Sequence, residues 1–226
     1  MSTQTSTERC DLCGGTFSRT AMTRHLSNCS RPKPSAASSA VSSHSTGKSF
    51  HLVVEGREAR VYWMHLAAPV EAHLSKIDAF LRRAWLECCG HLSAFSIGGK
   101  RYASGPMPEM EERGMHVALH RVLDVGTRFS YEYDYGSTTA LTLKVVALRE
   151  EGTRRGAVQL LARNDAPHVT CEECGSGKPA TQICTECAWD GRGWLCEECA
   201  AAHKCGPDML LPVVNSPRAG TCGYAG

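Results

Sequence analysis

Three C-x-x-C pairs stand within a short stretch near the end of the chain, CEECGSGKPATQICTECAWDGRGWLCEECAAAHKC, and they constrain the fold more than any other feature. The pairs and the two candidate ligands that follow them are Cys171/Cys174, Cys184/Cys187, Cys196/Cys199, His203 and Cys205. Eight such side chains suffice for two closed, four-coordinate zinc sites. A closed site has no open coordination position, so the pattern predicts a structural zinc module over 166–226 and no catalysis at the metal.

The tail has few large apolar side chains, and so small a core is marginal by itself. Structural zinc contributes about 10–16 kcal/mol per site, which makes metal a sufficient source of stability. A thioredoxin-like redox pair would need a C-x-x-C at the start of a helix inside a βαβ unit, and the tail has no such pattern. The residues alone leave open which ligands share an ion.

In order and spacing, PATQICTEC and WLCEECAAAH resemble the B-box zinc finger. The resemblance implies a crossed arrangement, and B-box-type modules are platforms for protein binding. The first ion would then take Cys171, Cys174, Cys196 and Cys199, and the second Cys184, Cys187, His203 and Cys205. A sequential arrangement, first four and then last four, stays open. Cys222 is a spare thiol that could replace Cys205.

A second metal pattern, CDLCGGTFSRTAMTRHLSNC, lies near the start of the chain. Cys10 and Cys13 form a knuckle, while His25 and Cys29 stand one turn apart on a predicted helix. The pattern resembles a two-Cys/two-His zinc finger in which Cys29 replaces the last His and the loop is one residue short. Zinc accepts this exchange because thiolate and imidazole both suit a tetrahedral site. Together the two ends predict about three zinc ions (Zn2+) per chain.

Charge is distributed unevenly along the chain. Residues 1–48 hold six Lys and Arg against two acidic residues, whereas 166–226 hold four against seven. Arg19 and Arg24 on the finger, with Arg31 and Lys33 after it, are candidates for phosphate contacts with DNA or RNA. A single finger reads only about three base pairs, so a protein contact or a structural cap is an equal alternative.

Between the two ends we predict a flexible linker over 30–48, rich in Ser, Ala and Pro, and a main domain over 49–165. The spacing of Leu74, Ile77, Leu81, Ala84 and Cys88 predicts a helix over about 72–88. Five further segments predict strands: FHLVVEG, ARVYWMHL, FSYEYDY, ALTLKVVAL and GAVQLLA; LSAFSI-GGK-RYAS predicts a hairpin. The expected fold class is α+β, with one principal helix on a largely antiparallel sheet and a finger over 1–29 as the other flanking zinc module.

The central segment HLSAFSIGGKRY, followed by FSYEYDYG and a hydrophobic strand, resembles the plasmid pRiA4b open-reading-frame-three-like domain family. The resemblance covers roughly residues 50–163. It implies a compact α+β fold and a setting on plasmids and mobile elements, and it brings no established activity. After Gly136, many members of that family continue with Asp and then Trp and His, whereas this chain has STTAL.

Candidate catalytic groups are few. We interpret His116 and His120 as two partly exposed histidines, and Glu132 and Asp134 as the wet face of a strand. Cys88 is expected to continue the buried helical stripe, and His91 has no nucleophile or acid placed near it by the sequence. The residual enzyme hypothesis, a site acting on nucleic acid or nucleotide, would use Tyr131, Glu132, Tyr133, Asp134 and His91.

The sequence has no apolar run long enough for a membrane span and no hydrophobic signal core at its start, which predicts a cytoplasmic protein. In a reducing compartment, clustered thiols indicate metal ligands. The favoured function is a non-enzymatic zinc-binding adaptor or regulator that binds an unidentified protein through its tail. The alternative is the enzyme hypothesis above.

Overall fold

The structure is a computed structural model, and it describes residues 7–29 and 47–226 apart from the side chains of Thr7 and Trp189. The fold is α+β, as the sequence predicts, with one large sheet and two small ones. Nearly all of the predicted linker, 30–46, lies outside the described residues, as do Arg31 and Lys33. The predicted domain boundaries therefore stay predictions.

The N-terminal segment forms a ββα unit with strands β1 (Thr7–Arg9) and β2 (Thr16–Ser18) and helix α1 (Arg19–Asn28). Ser18 caps α1, because its side-chain oxygen accepts a hydrogen bond from the amide of Ala21. The helix ends just before Cys29. The last turn of the helix and the residue after it therefore place His25 and Cys29 close to Cys10 and Cys13.

The central sheet has eight strands, and all neighbouring strands are antiparallel except β6 and β7. In sheet order they are β10, β4, β3, β9, β8, β5, β6 and β7. Their bounds are β3 Ser49–Gly56, β4 Trp63–Pro69, β5 Ser93–Ile97, β6 Lys100–Ala103, β7 Arg113–Gly114, β8 Arg128–Tyr133, β9 Thr139–Arg149 and β10 Gln159–Arg163. Each predicted strand of this domain is present, and β7 is additional.

Two local sequence features favour this sheet, namely the alternating pattern of β8 and the glycine turn between β5 and β6. Along β8 the aromatic side chains of Phe129, Tyr131 and Tyr133 are buried, while the residues between them are half-buried, as the period-2 pattern requires. The β5–β6 hairpin turns at Gly98 and Gly99, both with positive φ, which is the two-residue turn that matches the twist of paired strands.

Helix α2 (Leu74–Leu81) packs on the sheet and continues into a wider, π-helical turn over Arg82–Leu86. The predicted stripe is confirmed up to Leu81 and wrong beyond it. The wider turn adds a residue, so Trp85 and Leu86 take the buried positions, whereas Ala84 and Cys88 are only partly buried. In consequence Cys88 lies at the edge of the core.

The tail forms a three-stranded sheet and a short helix. Its elements are β11 Gln182–Cys184, β12 Trp194–Leu195, β13 Leu210–Pro212 and α3 Glu197–Ala201, and β11 is the middle strand. The hydrophobic cluster of this module contains three buried residues, Cys184, Leu195 and Ala200. All three positions belong to, or adjoin, the predicted metal ligands.

Both ends pack against the central sheet. Met22 and Leu26 of α1 share a hydrophobic cluster with Trp63 on β4 and Leu161 on β10. Arg149 on β9 donates hydrogen bonds to the carbonyl oxygens of Leu26 and Cys29, at 2.5 and 3.0 Å. The finger is therefore seated on the domain, and its helix buries apolar side chains there.

The C-terminal segment is anchored by a buried ion pair. Arg218 is fully buried, and its Nη2 donates to Asp134 Oδ2 at 2.8 Å. Its other amino group donates to the carbonyl oxygen of Ser137 and to Thr139 Oγ1, at 3.1 and 3.0 Å. A buried charge of this kind is tolerated because it is paired and hydrogen-bonded.

In the part of the chain that the structure describes, no helix is long and apolar enough to cross a membrane.

Two buried histidines face each other between β3 and β4. His51 Nε2 and His65 Nδ1 lie 2.9 Å apart, and neither residue is exposed. Burial, with a further contribution from the charge of Arg149, lowers the pKa of His51 to about 4. Burial, with contributions from His51 and Arg19, lowers the pKa of His65 to about 3.

These depressed values predict acid sensitivity of the central domain. The unfolded chain takes up protons on both histidines below a pH of about 6.5, whereas the folded chain does not until a pH of about 4. Stability is therefore unaffected at neutral pH and falls as the pH drops through this window. We expect a loss of order 1–2 kcal/mol per histidine between about pH 7.5 and about pH 5, measured by urea unfolding.

The control is the double variant His51→Gln, His65→Gln, which keeps polar side chains at both positions and has no group there that titrates. Metal ligands also take up protons in acid and lower the stability. The informative quantity is therefore the difference between wild type and double variant in the pH dependence of the free energy of unfolding. A pH dependence in the variant as steep as in the wild type would contradict the assignment.

Candidate metal centres

The four predicted ligands of the finger converge at one point. The Sγ atoms of Cys10, Cys13 and Cys29 and a ring nitrogen of His25 all lie within 4.8 Å of one another. Cys10 and Cys29 sulfurs are 3.9 Å apart, and Cys13 Sγ lies 3.3 Å from His25 Nε2. Zinc–sulfur bonds of about 2.3 Å in a tetrahedron place two sulfurs about 3.8 Å apart, so the group has the dimensions of a zinc site.

Packing holds the histidine of the finger in place. The ring of Phe17 stacks on the His25 ring, with centroids 3.8 Å apart and an interplanar angle of 19°. Met22 and Leu26 bury the inner face of the same helix. The ligand on the helix is thus oriented by contacts that exist independently of a metal, which is the condition for a preorganised site.

The tail brings its eight predicted ligands together in the crossed order. Cys171, Cys174, Cys196 and Cys199 form one group, and Cys184, Cys187, His203 and Cys205 form another. Sulfur–sulfur distances are 4.0 Å for Cys174 and Cys196 and 3.6 Å for Cys187 and Cys205. Each group contains one C-x-x-C pair from before β12, so the sequential alternative is not the observed one.

The three-stranded sheet explains the crossing. Cys184 ends β11 at the centre of the sheet, while Cys196 follows β12 and precedes α3, which carries Cys199 on its first turn. Because β11 and β12 are antiparallel, the chain after β12 runs back toward Cys171, and Cys196 and Cys199 join the first site. The second site, which contains Cys184, is completed by His203 and Cys205, which follow α3. The fold thus interleaves the two sites around one sheet.

Within each tail site the thiols differ in acidity. Hydrogen bonds from the backbone amides of Cys174 and Cys196 lower the pKa of Cys171 to about 6, whereas burial and the neighbouring thiols raise the pKa of Cys199 to about 12. In the second site burial opposes ionisation, but the amide of Cys187 contributes to lowering the pKa of Cys184 to about 7. Each site thus holds at least one thiol that ionises readily, and a divalent cation would displace the remaining protons.

The finger's basic face is partly occupied. Arg19 forms an ion pair with Glu55 on β3 and donates a hydrogen bond to the carbonyl oxygen of Arg60. Arg24 is exposed on the same helix. Of the two arginines on the finger helix that are expected to meet phosphates, Arg24 is thus the more exposed and Arg19 is engaged by the central domain.

The residues of the enzyme hypothesis are not arranged as expected. Asp134 follows β8 with φ of 65° and is buried against Arg218, so its assignment to the wet face of a strand is wrong. Glu132 is half-buried and pairs with Arg101 at 3.0 Å. Both carboxylates are therefore engaged by arginines, and the pairing of Asp134 escaped the sequence because Arg218 lies 84 positions away.

The histidines of the central domain agree with expectation only in part. His116 and His120 are both exposed, as expected, and the chain between them is not an α-helix. His91 does have an acid and thiols nearby: its Nε2 lies 3.5 Å from Asp134 Oδ2 and 2.9 Å from Cys89 Sγ.

A fourth group that sequence reasoning missed consists of Cys88, Cys89, His91 and Cys222. Its only local signal is the spacing C-C-x-H, which lacks the C-x-x-C form of the other sites. Cys222 was expected as a spare for Cys205, and the structure places it with this group instead. The described chain thus carries four sets of Cys and His side chains that could hold metal ions.

Comparisons with known proteins add little to this picture. No family model matches the chain, and no curated protein matches it. A solved structure of a protein of unknown function from Methanosarcina mazei Go1 aligns with a TM-score of 0.43 and 12% identity, over 51% of this chain and 67% of that one. The fold and the sites define this chain as an α+β protein with Cys/His clusters able to bind metal.

Metal removal tests the role of these clusters. We expect a strong chelator to abolish the dispersed amide NMR signals of the tail, such as those of Ile183 and Leu195, because the small hydrophobic cluster of the tail is insufficient to hold the module. Signals of the central core, such as those of Leu52 and Tyr131, should persist. A tail that keeps its dispersed signals after the loss of all metal would contradict a structural role.

Proposed function

We propose that this protein is a non-enzymatic, zinc-binding adaptor whose C-terminal module binds a protein partner. The observation that carries the proposal is the crossed pair of sites in the tail. Each site is composed of four protein ligands, which complete the tetrahedral coordination of zinc and leave no position for a substrate or an activated water. The metal in such a module has a structural role, in that it stabilises the fold that presents the binding surface, and it has no catalytic role.

Zinc is the metal that this donor set favours. One tail site has four thiolates, and the other tail site and the finger each have three thiolates and one imidazole. Tetrahedral sites of sulfur and nitrogen donors are typical of zinc in proteins, whereas magnesium and calcium prefer oxygen. We therefore assign about three zinc ions to the finger and the tail.

An open depression on the tail offers a surface for the partner. It has a volume of ≈ 540 Å³ and lies between α3 and the strands β11 and β13. Apolar atoms of Ala200, Ala201 and Leu210 line it, together with the acidic Glu197. The tail as a whole carries seven acidic residues against four Lys and Arg. An apolar depression with an acidic rim favours a partner segment that is basic and partly apolar.

The partner can be sought by affinity capture of the full-length protein from its native host, with and without nuclease treatment. Two variants alter the depression while leaving all metal ligands in place: Glu197→Lys reverses its charge and Ala201→Arg fills it. Because both side chains are exposed, we expect normal zinc content and a loss of capture of at least roughly tenfold, the effect of about 1.4 kcal/mol.

The matched control is Glu150→Lys, the same charge reversal at an exposed position of the central domain. Capture of the same protein at undiminished yield by both depression variants would place the interface elsewhere. Capture that disappears on nuclease treatment would show that nucleic acid mediates it, and this outcome would overturn the protein-binding proposal in favour of the basic finger.

Three earlier expectations stay predictions. They are the membership of the central domain in the plasmid pRiA4b open-reading-frame-three-like family, the link to plasmids or mobile elements, and a cytoplasmic location. The support for the first is the position of its most specific run, YEYDYG, on β8 and the turn that follows. Nucleic-acid binding by the finger likewise stays a prediction, and Arg24 is the exposed residue with which to test it.

A further inference from the structure

Four ligand-type side chains from opposite parts of the chain meet at one edge of the central domain. Cys88, Cys89 and His91 follow the π-helical turn that ends the α2 region, and Cys222 comes from the C-terminal segment, 133 positions after Cys89. Their ligand atoms all lie within 4.8 Å of one another. Cys89 and Cys222 are exposed, while Cys88 and His91 are half-buried.

Apart from the shorter 2.9 Å between Cys89 Sγ and His91 Nε2, the distances inside this group are close to those of a metal site. The sulfurs of Cys88 and Cys89 are 3.6 Å apart, and those of Cys89 and Cys222 are 3.8 Å apart. His91 Nε2 lies 3.2 Å from Cys222 Sγ, close to the 3.3 Å between Cys13 Sγ and His25 Nε2 in the finger. A tetrahedral zinc ion requires sulfur–sulfur edges of about 3.8 Å.

The distribution of cysteines over the whole chain gives independent support. The chain has 13 cysteines, and every one of them falls in one of the four groups. One group has four cysteines, and each of the other three has three cysteines and one histidine. The group at Cys88 thus repeats the donor set of the finger and of the second tail site, although no C-x-x-C pair contributes to it.

We infer that Cys88, Cys89, His91 and Cys222 bind a fourth zinc ion, which fastens the C-terminal segment to the central domain. This inference goes beyond the proposed adaptor function, because it requires no partner and uses none of the ligands of the finger site or of the two tail sites. The site joins two parts of the chain that the sequence would place in separate domains.

The surroundings suit the charge of such a site. Three thiolates and one Zn²⁺ carry a net charge of −1, and the fully buried guanidinium of Arg218 lies beside them, with Nη2 3.4 Å from Cys88 Sγ. The same nitrogen holds Asp134 at 2.8 Å. His91 Nε2 is 3.5 Å from that carboxylate, which is too long for a strong hydrogen bond and leaves the nitrogen for the metal.

The backbone at Cys222 provides a sharp test. Its φ is 49°, a conformation that glycine adopts freely and a cysteine does not. If Cys222 had no ligand role, Cys222→Gly would leave the metal content unchanged and would relieve the backbone. If it is a ligand, the same substitution removes one zinc ion despite the easier backbone. Thr221→Ser, a conservative change at the preceding position, is the matched control.

The experiment is native mass spectrometry of the full-length protein purified with zinc and without chelators. We expect four zinc ions in the wild type and in Thr221→Ser, and three in Cys222→Gly and in Cys89→Ser. The double variant should also hold three, because both residues serve one ion. Hydrogen exchange at the amide of Tyr224, which bonds to the carbonyl of Thr221, should accelerate by roughly tenfold or more in Cys222→Gly.

Each other outcome has a definite meaning. Three ions in the wild type and in both variants would overturn the fourth site while leaving the adaptor proposal intact, and no bound metal at all would overturn both. A wild-type mass that is lower by two hydrogens, with a Cys89–Cys222 or Cys88–Cys89 disulfide found by peptide mapping, would also overturn the site.

A second measurement covers the case in which a variant fails to fold. Cadmium-113 NMR of the wild-type protein after exchange of zinc for cadmium gives one signal per site. We expect four signals, one from a four-sulfur site and three from sites with three sulfurs and one nitrogen. Only two signals of the second kind would overturn the fourth site.

Discussion

The hydrophobic cluster of the tail has three buried members, Cys184, Leu195 and Ala200, and in the proposed function the coordination of metal is the interaction on which the rest of this module depends. So small a cluster buries too little apolar surface to offset the conformational entropy of a module of about 60 residues. We propose that zinc bound by these ligands supplies the missing stabilisation, since a structural zinc site contributes of the order of 10 kcal/mol. The crossed order of the ligands then ties β11, β12 and α3 into one unit.

The central sheet is the scaffold on which both ends are mounted. Its own core is large, so it does not need metal, and it presents charged side chains to both neighbours. Arg149 binds the carbonyl oxygens at the end of the finger helix, and Asp134 holds Arg218 of the C-terminal segment. Ends that are seated on a stable domain present their surfaces in a fixed orientation, which is what an adaptor requires.

A structural feature can be predicted from the sequence when the residues that determine it are close together along the chain. The finger, the C-x-x-C pairs and the strands are encoded by spacings of a few residues, and they were predictable. The pairing of Asp134 with Arg218, and the meeting of Cys222 with Cys88 and Cys89, depend on contacts across 84 or more positions, which no local pattern encodes. The π-helical turn after Leu81 shifted the buried stripe because the helix period itself changed there.

We propose that metal ions hold the two ends of this chain in their folds. The most direct test is the zinc content per chain, measured by elemental analysis on protein purified without chelators and quantified by amino-acid analysis. We expect at least three zinc ions bound to the finger and the tail, with a fourth at the site that contains Cys222. A zinc content near zero in folded protein would contradict it.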